Sequence, residues 1–446
     1  MKKRESFTDN ALQKKQPLSL RKNFSWTFIA NIIYGICQWG ILVAIAKLGT
    51  PEMVGQFTLG LAVVTPVFLL TNLELRSVQA TDANKEYNFS HYLLLRLITT
   101  TLGLLVAISL IMLIGYHEKA ALVIMLIAIV KAIESFSDVY YGFLQQHEQM
   151  DNVAKSIIWR NLLSLIALIS LFYFTHDIVW ATTGLISAAI ITFVSYDIPV
   201  RNLLLGIREP KSLKETYKQI RKVVDKTLII SQFEIILKLA WLSLPAGLLV
   251  MLLSLNRYIP RYFIEWHLGQ KELGIFAAME YPAIVGITIV TALGQSALPR
   301  LGKYYVKGNQ IEFKNLLFKL IGIGILLGFL GIIVVFFGGS QLLSILYKPE
   351  YAEYKNIFVL LMFWVAILYI TSFLGYAATA ARYFRSNLAL SIVITMITTI
   401  LSYFVIPSHA LLGSAIVLLT TSLVQLFGNI LIVLHLLDKL AKMQRL

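Results

Sequence analysis

From Leu320 to Phe337 the chain reads LIGIGILLGFLGIIVVFF, eighteen residues without a charged or polar side chain. As a helix this run would be roughly 27 Å long, close to the hydrocarbon thickness of a bilayer. It has no polar face to offer water, so it predicts a membrane-spanning helix rather than a buried soluble one. Working outward from this ninth run gives twelve in all, at 24–46, 54–73, 92–115, 120–142, 157–174, 179–196, 239–256, 275–297, 317–337, 357–377, 387–406 and 411–436. The alternating segments of about ten residues that a membrane barrel needs are absent. The predicted fold class is therefore all-α, a polytopic membrane protein of about twelve helices.

Composition agrees. Hydrophobic residues make up 57% of the chain and charged ones 14%, against about 25% in soluble domains, so a soluble enzyme is excluded. The lone Cys37 rules out an internal disulfide or thiolate cluster, and no two of the seven histidines stand at HxxxH spacing. Neither a metal nor a cofactor is expected, and no phosphate-cradling GxxxxGK[ST] loop is present for ATP. The first run, Phe24 to Ala46, is too long for the apolar core of a cleaved signal, and no A-x-A site follows it.

The net charge of +15 would suggest nucleic acid in a soluble protein. Here position matters more. With the N-terminus inside, 29 of the 39 Lys and Arg fall in inner segments and 7 in outer loops, the bias expected of a cytoplasmic N-terminus and an even number of spans. No nucleic-acid partner is implied. Arg96, Lys131 and Lys238 lie in or beside apolar runs.

This reading divides the chain into a basic cytoplasmic tail (1–23), a six-helix lobe (24–196), a basic connector (197–238), a second lobe (239–436) and a short cytoplasmic tail (437–446). Tyr217 to Lys238 is amphipathic and cationic, suiting a helix on an anionic inner leaflet; a solvated connector is the alternative. Duplication is suggested by two corners of similar wording. Leu48-Gly49 is followed by Gly55-Gln56-Phe57 between spans 1 and 2, and Leu268-Gly269 by Gly274-Ile275-Phe276 between spans 7 and 8. An offset of six helices makes the repeats parallel. Outer loops are short, which disfavours a glycosyltransferase. Two six-helix lobes around a central cavity instead suit an alternating-access transporter.

Several motifs bear on the family. They are Leu244-Pro245-Ala246-Gly247 through Asn256-Arg257-Tyr258-Ile259-Pro260-Arg261-Tyr262-Phe263, Leu273-Gly274-Ile275-Phe276-Ala277-Ala278 and Gln295-Ser296-Ala297-Leu298-Pro299-Arg300-Leu301. Leu73-Glu74-Leu75-Arg76 ahead of Asp82, and Gly413-Ser414-Ala415, add to them. With these the chain resembles the polysaccharide transporters, the capsule and O-antigen flippases of the multidrug/oligosaccharidyl-lipid/polysaccharide exporter superfamily. The resemblance implies an undecaprenyl-pyrophosphate-linked oligosaccharide as substrate, flipped across the bacterial cytoplasmic membrane. It also implies membrane lipids, a glycan polymerase and other polysaccharide-synthesis proteins as partners. Two alternatives stay open: an ion-coupled multidrug or small-molecule antiporter of the same fold, and a non-transporting partner of a glycan-synthesis complex.

Such a substrate needs cations for its phosphates in a layer where bare charge is costly. Arg257 and Arg261 share a helical face beyond span 7, with Glu265 four residues on as a neutralising partner. They read as substrate contacts or as interfacial anchors. Lys131, Glu134 and Asp138 form one stripe on span 4, continued by Tyr141 and Gln145. That stripe suits either a site in the cavity or a helix-locking pair. Lys131, Arg76 and Arg300 join the two arginines as candidate substrate ligands, the last two at equivalent inner ends of spans 2 and 8. Glu134, Asp138 and Glu280 are candidates for ion coupling. Glu234 and Lys238 read as a surface pair. Pro245 and Gly247 are the hinge candidates, and Gly324 with Gly328 the close-packing pair of span 9.

Overall fold

A computed structural model describes residues 20–82, 86–204 and 226–444. Among these every regular element is helical. The helices are α1 (Leu20–Leu48), α2 (Pro51–Asn72), the short α3 (Leu75–Thr81), α4 (Phe89–Ile114), α5 (Glu118–Gln146), α6 (Met150–Thr175) and α7 (Ile178–Thr192). A π turn, Phe193–Asp197, joins α7 to α8 (Ile198–Leu204). There follow α9 (Lys226–Leu268), α10 (Gln270–Glu280), α11 (Pro282–Val306), α12 (Gln310–Leu346), α13 (Lys355–Ala380) and α14 (Phe384–Gln444). The last is two helices meeting at Ala410, whose φ of 49° breaks the run. Ten helices among the described residues are long and apolar enough to cross a membrane, with the last counted once; counting its two parts separately and adding α10 with α11 as one accounts for the runs read from the sequence.

The differences are local and have causes. The seventh helix runs roughly three turns past residue 256, because Asn256 to His267 keep helical register and only Gly269, at φ 85°, ends it. The eighth is divided at Tyr281–Pro282, where the imino ring fits the first turn of a new helix. From Lys226 the expected interfacial segment is already the start of α9; the rest of it, most of the N-terminal tail and half of the basic connector lie outside the described residues. Glu234 and Lys238 pair at 2.8 Å with both side chains largely exposed. Lys238→Ala should therefore leave the thermal midpoint in detergent unchanged, since solvent screens an exposed pair.

Contacts divide the chain into two compact units. The first holds the residues up to Tyr34 and Val63–Met251; the second holds Gly35–Ala62 and Leu252–Leu446. In the first unit Leu73, Leu75, Tyr92, Leu95, Val139 and Leu239 form one apolar cluster that ties the start of α9 to α3, α4 and α5. Gly247 lies where a Cβ would come 3.0 Å from the Leu70 carbonyl and the Leu73 Cα, so that glycine serves close approach. The helix continues unbroken through Pro245 and Gly247.

In the second unit a Cβ on Gly328 would meet Ala366, and one on Gly324 would meet Phe373, which fits the close-packing reading of that pair. The two similar corners also meet here. A Cβ on Gly55 would strike the Gln270 carbonyl, and one on Gly274 would strike the Pro51 carbonyl. Each glycine thus faces the first turn of the other's helix. Gln56 Nε2 donates to Gln270 Oε1 at 3.0 Å beside them, and Lys348 Nζ donates to the Gly49 carbonyl.

Candidate functional site

Charge inside an apolar helix persists only when it is paired or faces water. In the first unit α1, α2, α5 and α6 enclose a cavity of about 350 Å³ lined by Asn31, Tyr34, Asn72, Glu74, Arg76, Lys131, Glu134, Asp138, Tyr141 and Arg160, among others. Two of its carboxylates are each shared by two cations. Glu134 takes Lys131 at 2.8 Å and Arg160 at 3.7 Å. Asp138, one turn on along α5, takes Arg96 at 3.4 Å and Arg76 at 3.7 Å.

Other bonds hold these cations in place. Arg76 Nε donates to Gln145 at 3.1 Å, and Arg76 and Arg160 both lie over the Tyr141 ring. Arg96 is fully buried and also donates to Asn72. Tyr141 in turn bonds Ser156 at 2.8 Å.

The second unit repeats the two-to-one pattern with a third carboxylate. Glu280, fully buried at the end of α10, takes Arg257 Nε on one oxygen at 2.5 Å. On the other it takes Arg261 Nε at 3.0 Å and Nη2 at 2.6 Å. The Arg261 guanidinium also lies 5.1 Å from the centre of the Tyr258 ring, and Tyr262 fixes the helix by donating to the Ala62 carbonyl at 2.5 Å. Arg261 is 1% exposed, Arg257 32%. Arg257 therefore presents its two Nη groups, which donate to no partner among the described residues.

Against the sequence reading, Lys131 does pair with Glu134, but Arg160 completes that set. Asp138 belongs to Arg76 and Arg96. Arg257 and Arg261 share the partner Glu280, a buried acid on the next helix that reaches both guanidinia. Arg300 stands exposed on α11 and joins no ion pair among the described residues, so its equivalence to Arg76 does not extend to environment. Arg96 and Arg160 are the functional candidates that spacing alone missed. The available signal was an arginine within or at the edge of an apolar run, which demands a partner.

The site yields a prediction. Asp138→Asn leaves the buried Arg96 without its counter-charge and should cost about 3–5 kcal/mol, seen as a lower thermal midpoint in detergent. A midpoint equal to that of Lys238→Ala would show that Arg96 does not depend on the pair.

Twelve apolar helices in two compact units, with ion clusters buried in their helices, define a multi-pass membrane protein of transporter fold. Solved structures agree on that fold. A multidrug resistance MATE family transporter of the MOP superfamily, in its inward-facing conformation, matches with a TM-score of 0.63 over 97% of both chains at 13% identity. A MOP superfamily transporter from Pyrococcus furiosus, described by the reverse polarity of its binding pocket, matches at 0.62 over 95% of this chain and 96% of its own, with 15% identity. Residues 20–305 match the family model described as polysaccharide biosynthesis protein. The capsular polysaccharide biosynthesis protein CapF of Staphylococcus aureus is 30% identical over 407 residues, 91% of this chain and 97% of the relative. The chain belongs to the polysaccharide biosynthesis protein family.

Proposed function

We propose that this protein flips an undecaprenyl-pyrophosphate-linked oligosaccharide from the inner to the outer leaflet of the bacterial cytoplasmic membrane, by alternating access of the lobes 24–196 and 239–436, with both termini cytoplasmic. The observation that carries this reading is the Arg257–Arg261–Glu280 cluster. One carboxylate cannot neutralise two guanidinia, and the forked end of Arg257 donates to no partner among the described residues. A planar fork of that kind matches phosphate oxygens in pairs. Family membership and the capsule-associated relative supply the glycan.

Each unit by itself offers a pyrophosphate cationic groups: Arg76, Lys131 and Arg160 at the cavity of the first, Arg257 and Arg261 in the cluster of the second. Glu134, Asp138 and Glu280 are each already held by two cations, so none of these three is a free acid of the kind a cation-exporting antiporter uses to hold its cargo. The glycan lipid, glycan polymerase and other synthesis proteins are the partners this reading names.

The test uses proteoliposomes holding a fluorescent form of the glycan lipid and follows its exposure to an outside quencher. Wild type should move it. Arg257→Gln, which leaves the Arg261–Glu280 bonds intact, should fold normally yet move it roughly ten- to a hundredfold more slowly, the loss of one charge-assisted contact of about 1.5–3 kcal/mol. An unchanged rate removes Arg257 from the path. No movement by wild type, with ion gradients imposed, rejects flipping.

A further inference from the structure

The three carboxylates described so far are each held by two cations. Asp197 is different. It ends the π turn Phe193–Asp197, is 1% exposed, and forms no ion pair among the described residues. Its Oδ1 accepts from the Ser156 hydroxyl at 2.5 Å, and the Ser137 hydroxyl of α5 is a second donor to the same carboxyl, so its bonded neighbours among the described residues are hydroxyls and not cations. A buried carboxylate without a cation is far costlier than a buried carboxylic acid, so this group belongs with a proton.

The surroundings provide a route for that proton. Ser156 Oγ bonds the Tyr141 hydroxyl at 2.8 Å, and Tyr141 lines the polar cavity beneath Arg76 and Arg160. Asp197 is therefore two hydroxyls from the cavity. The other titratable or charged groups facing this cluster are Tyr140 and Tyr141 from α5, Arg160 and Asp151 from α6, and Tyr196 and Arg201 from its own segment. Arg160 acts on Asp197 through space only; its ion pair is with Glu134. Arg201 lies over the Phe89 ring. A π turn adds a residue to one helical turn, a device found often at functional positions. Here it sets Asp197 inward while Ser195, two residues earlier, is exposed.

We propose that Asp197 is a proton-binding site of this transporter, loaded from and emptied into the first unit's cavity through Ser156 and Tyr141. In loading, the Tyr141 oxygen takes a proton from hydronium in the cavity and gives its own to Ser156. Ser156 then gives its own to Asp197 Oδ1. Three O–H bonds break and three form, nothing is oxidised, and one water remains. Unloading is the reverse. Because Arg160 reaches Asp197 electrostatically, an anion that draws Arg160 away from Glu134 into the cavity alters the charge that Asp197 senses, which couples the proton to cavity occupancy. The coupling rests on the flipping reading; the proton site does not.

Infrared difference spectra of the protein in liposomes, titrated across about pH 5–8, test the site. The expected result is a protonated-carboxyl band that fades with rising pH, is missing in Asp197→Asn and is shifted in Asp197→Glu. Tyr141→Phe and Ser156→Ala should keep the band but slow its appearance after a pH jump by roughly tenfold or more. Absence of any wild-type band assignable to Asp197 means that the group is ionised throughout and overturns the site. Unchanged kinetics in both hydroxyl variants overturn the route. A pH gradient that changes glycan-lipid flipping in wild type but not in Asp197→Asn supports coupling. An equal response in the two overturns coupling while leaving the band to decide the site.

Discussion

Glu280→Ala should give a protein with a sharply lower thermal midpoint and no measurable flipping. The carboxylate is fully buried and receives three donor atoms from two guanidinia, one of which, Arg261, is itself buried. Its removal leaves like charges four residues apart on one helical face with nothing between them. Stranding a buried charge typically costs about 3–5 kcal/mol, a large part of the stability of most folds. Removing the pair is milder than breaking it. Arg261→Leu with Glu280→Leu replaces both buried ions by apolar side chains, and Arg257 can turn to water. The double variant should therefore recover most of the lost midpoint but none of the flipping. If Glu280→Ala melts with wild type, the cluster does not bind α9 to α10. If the double variant is no more stable than the single, the cost lies in packing rather than charge.

Gly274→Ala should be nearly as damaging, through shape alone. The added methyl would overlap the Pro51 carbonyl and press on the Gly55 nitrogen, and backbone cannot swing aside as a side chain would. Overpacking of this kind costs about 1–3 kcal/mol. Gly55→Ala meets the Gln270 carbonyl in the same way and should behave alike. Gly322→Ala and Gly338→Ala are the controls. A Cβ at either meets nothing within 4 Å, so these helical positions should gain up to about 1 kcal/mol from propensity. Detergent melting curves separate the two classes. Equal midpoints for Gly274→Ala and Gly322→Ala would mean that the two corners do not touch as described.

Much of the architecture could be read from the sequence because a bilayer admits few solutions. A run such as Leu320 to Phe337 has to be a helix, and twelve such runs fix the class. Helix ends were less legible. The run ending at residue 256 stops where polar residues begin, yet hydrogen bonding carries α9 to Leu268, because Arg257 and Arg261 find a partner in Glu280. The candidate site was visible as charges in the wrong solvent: Lys131, Glu134, Asp138, Arg257, Arg261 and Glu280 all drew notice on that ground. Their pairing was not visible. Spacing offered Glu265 to Arg261, since i to i+4 is the only neighbour relation a linear chain displays. The partner Glu280 comes from the next helix. Arg96 reads only as a charge in or beside an apolar run and Arg160 as one more inner-segment cation, and the fold alone shows both facing an acid of α5. Asp197, at the edge of the basic connector, gave no signal at all. Its oddity is the absence of a cation, which spacing does not reveal.

The meeting of Gly55 with Gly274 also bears on inheritance. Each glycine leaves room for a carbonyl one turn before the other, so the two positions make the same demand on each other. If the chain arose by doubling a six-helix gene, as its two similar corners suggest, the contact was first made between two identical copies, and one ancestral codon served both sides. Fusion then gave each side its own codon without relaxing either demand. Drift elsewhere could erase the likeness of the halves, but at this crossing neither descendant was free to depart alone.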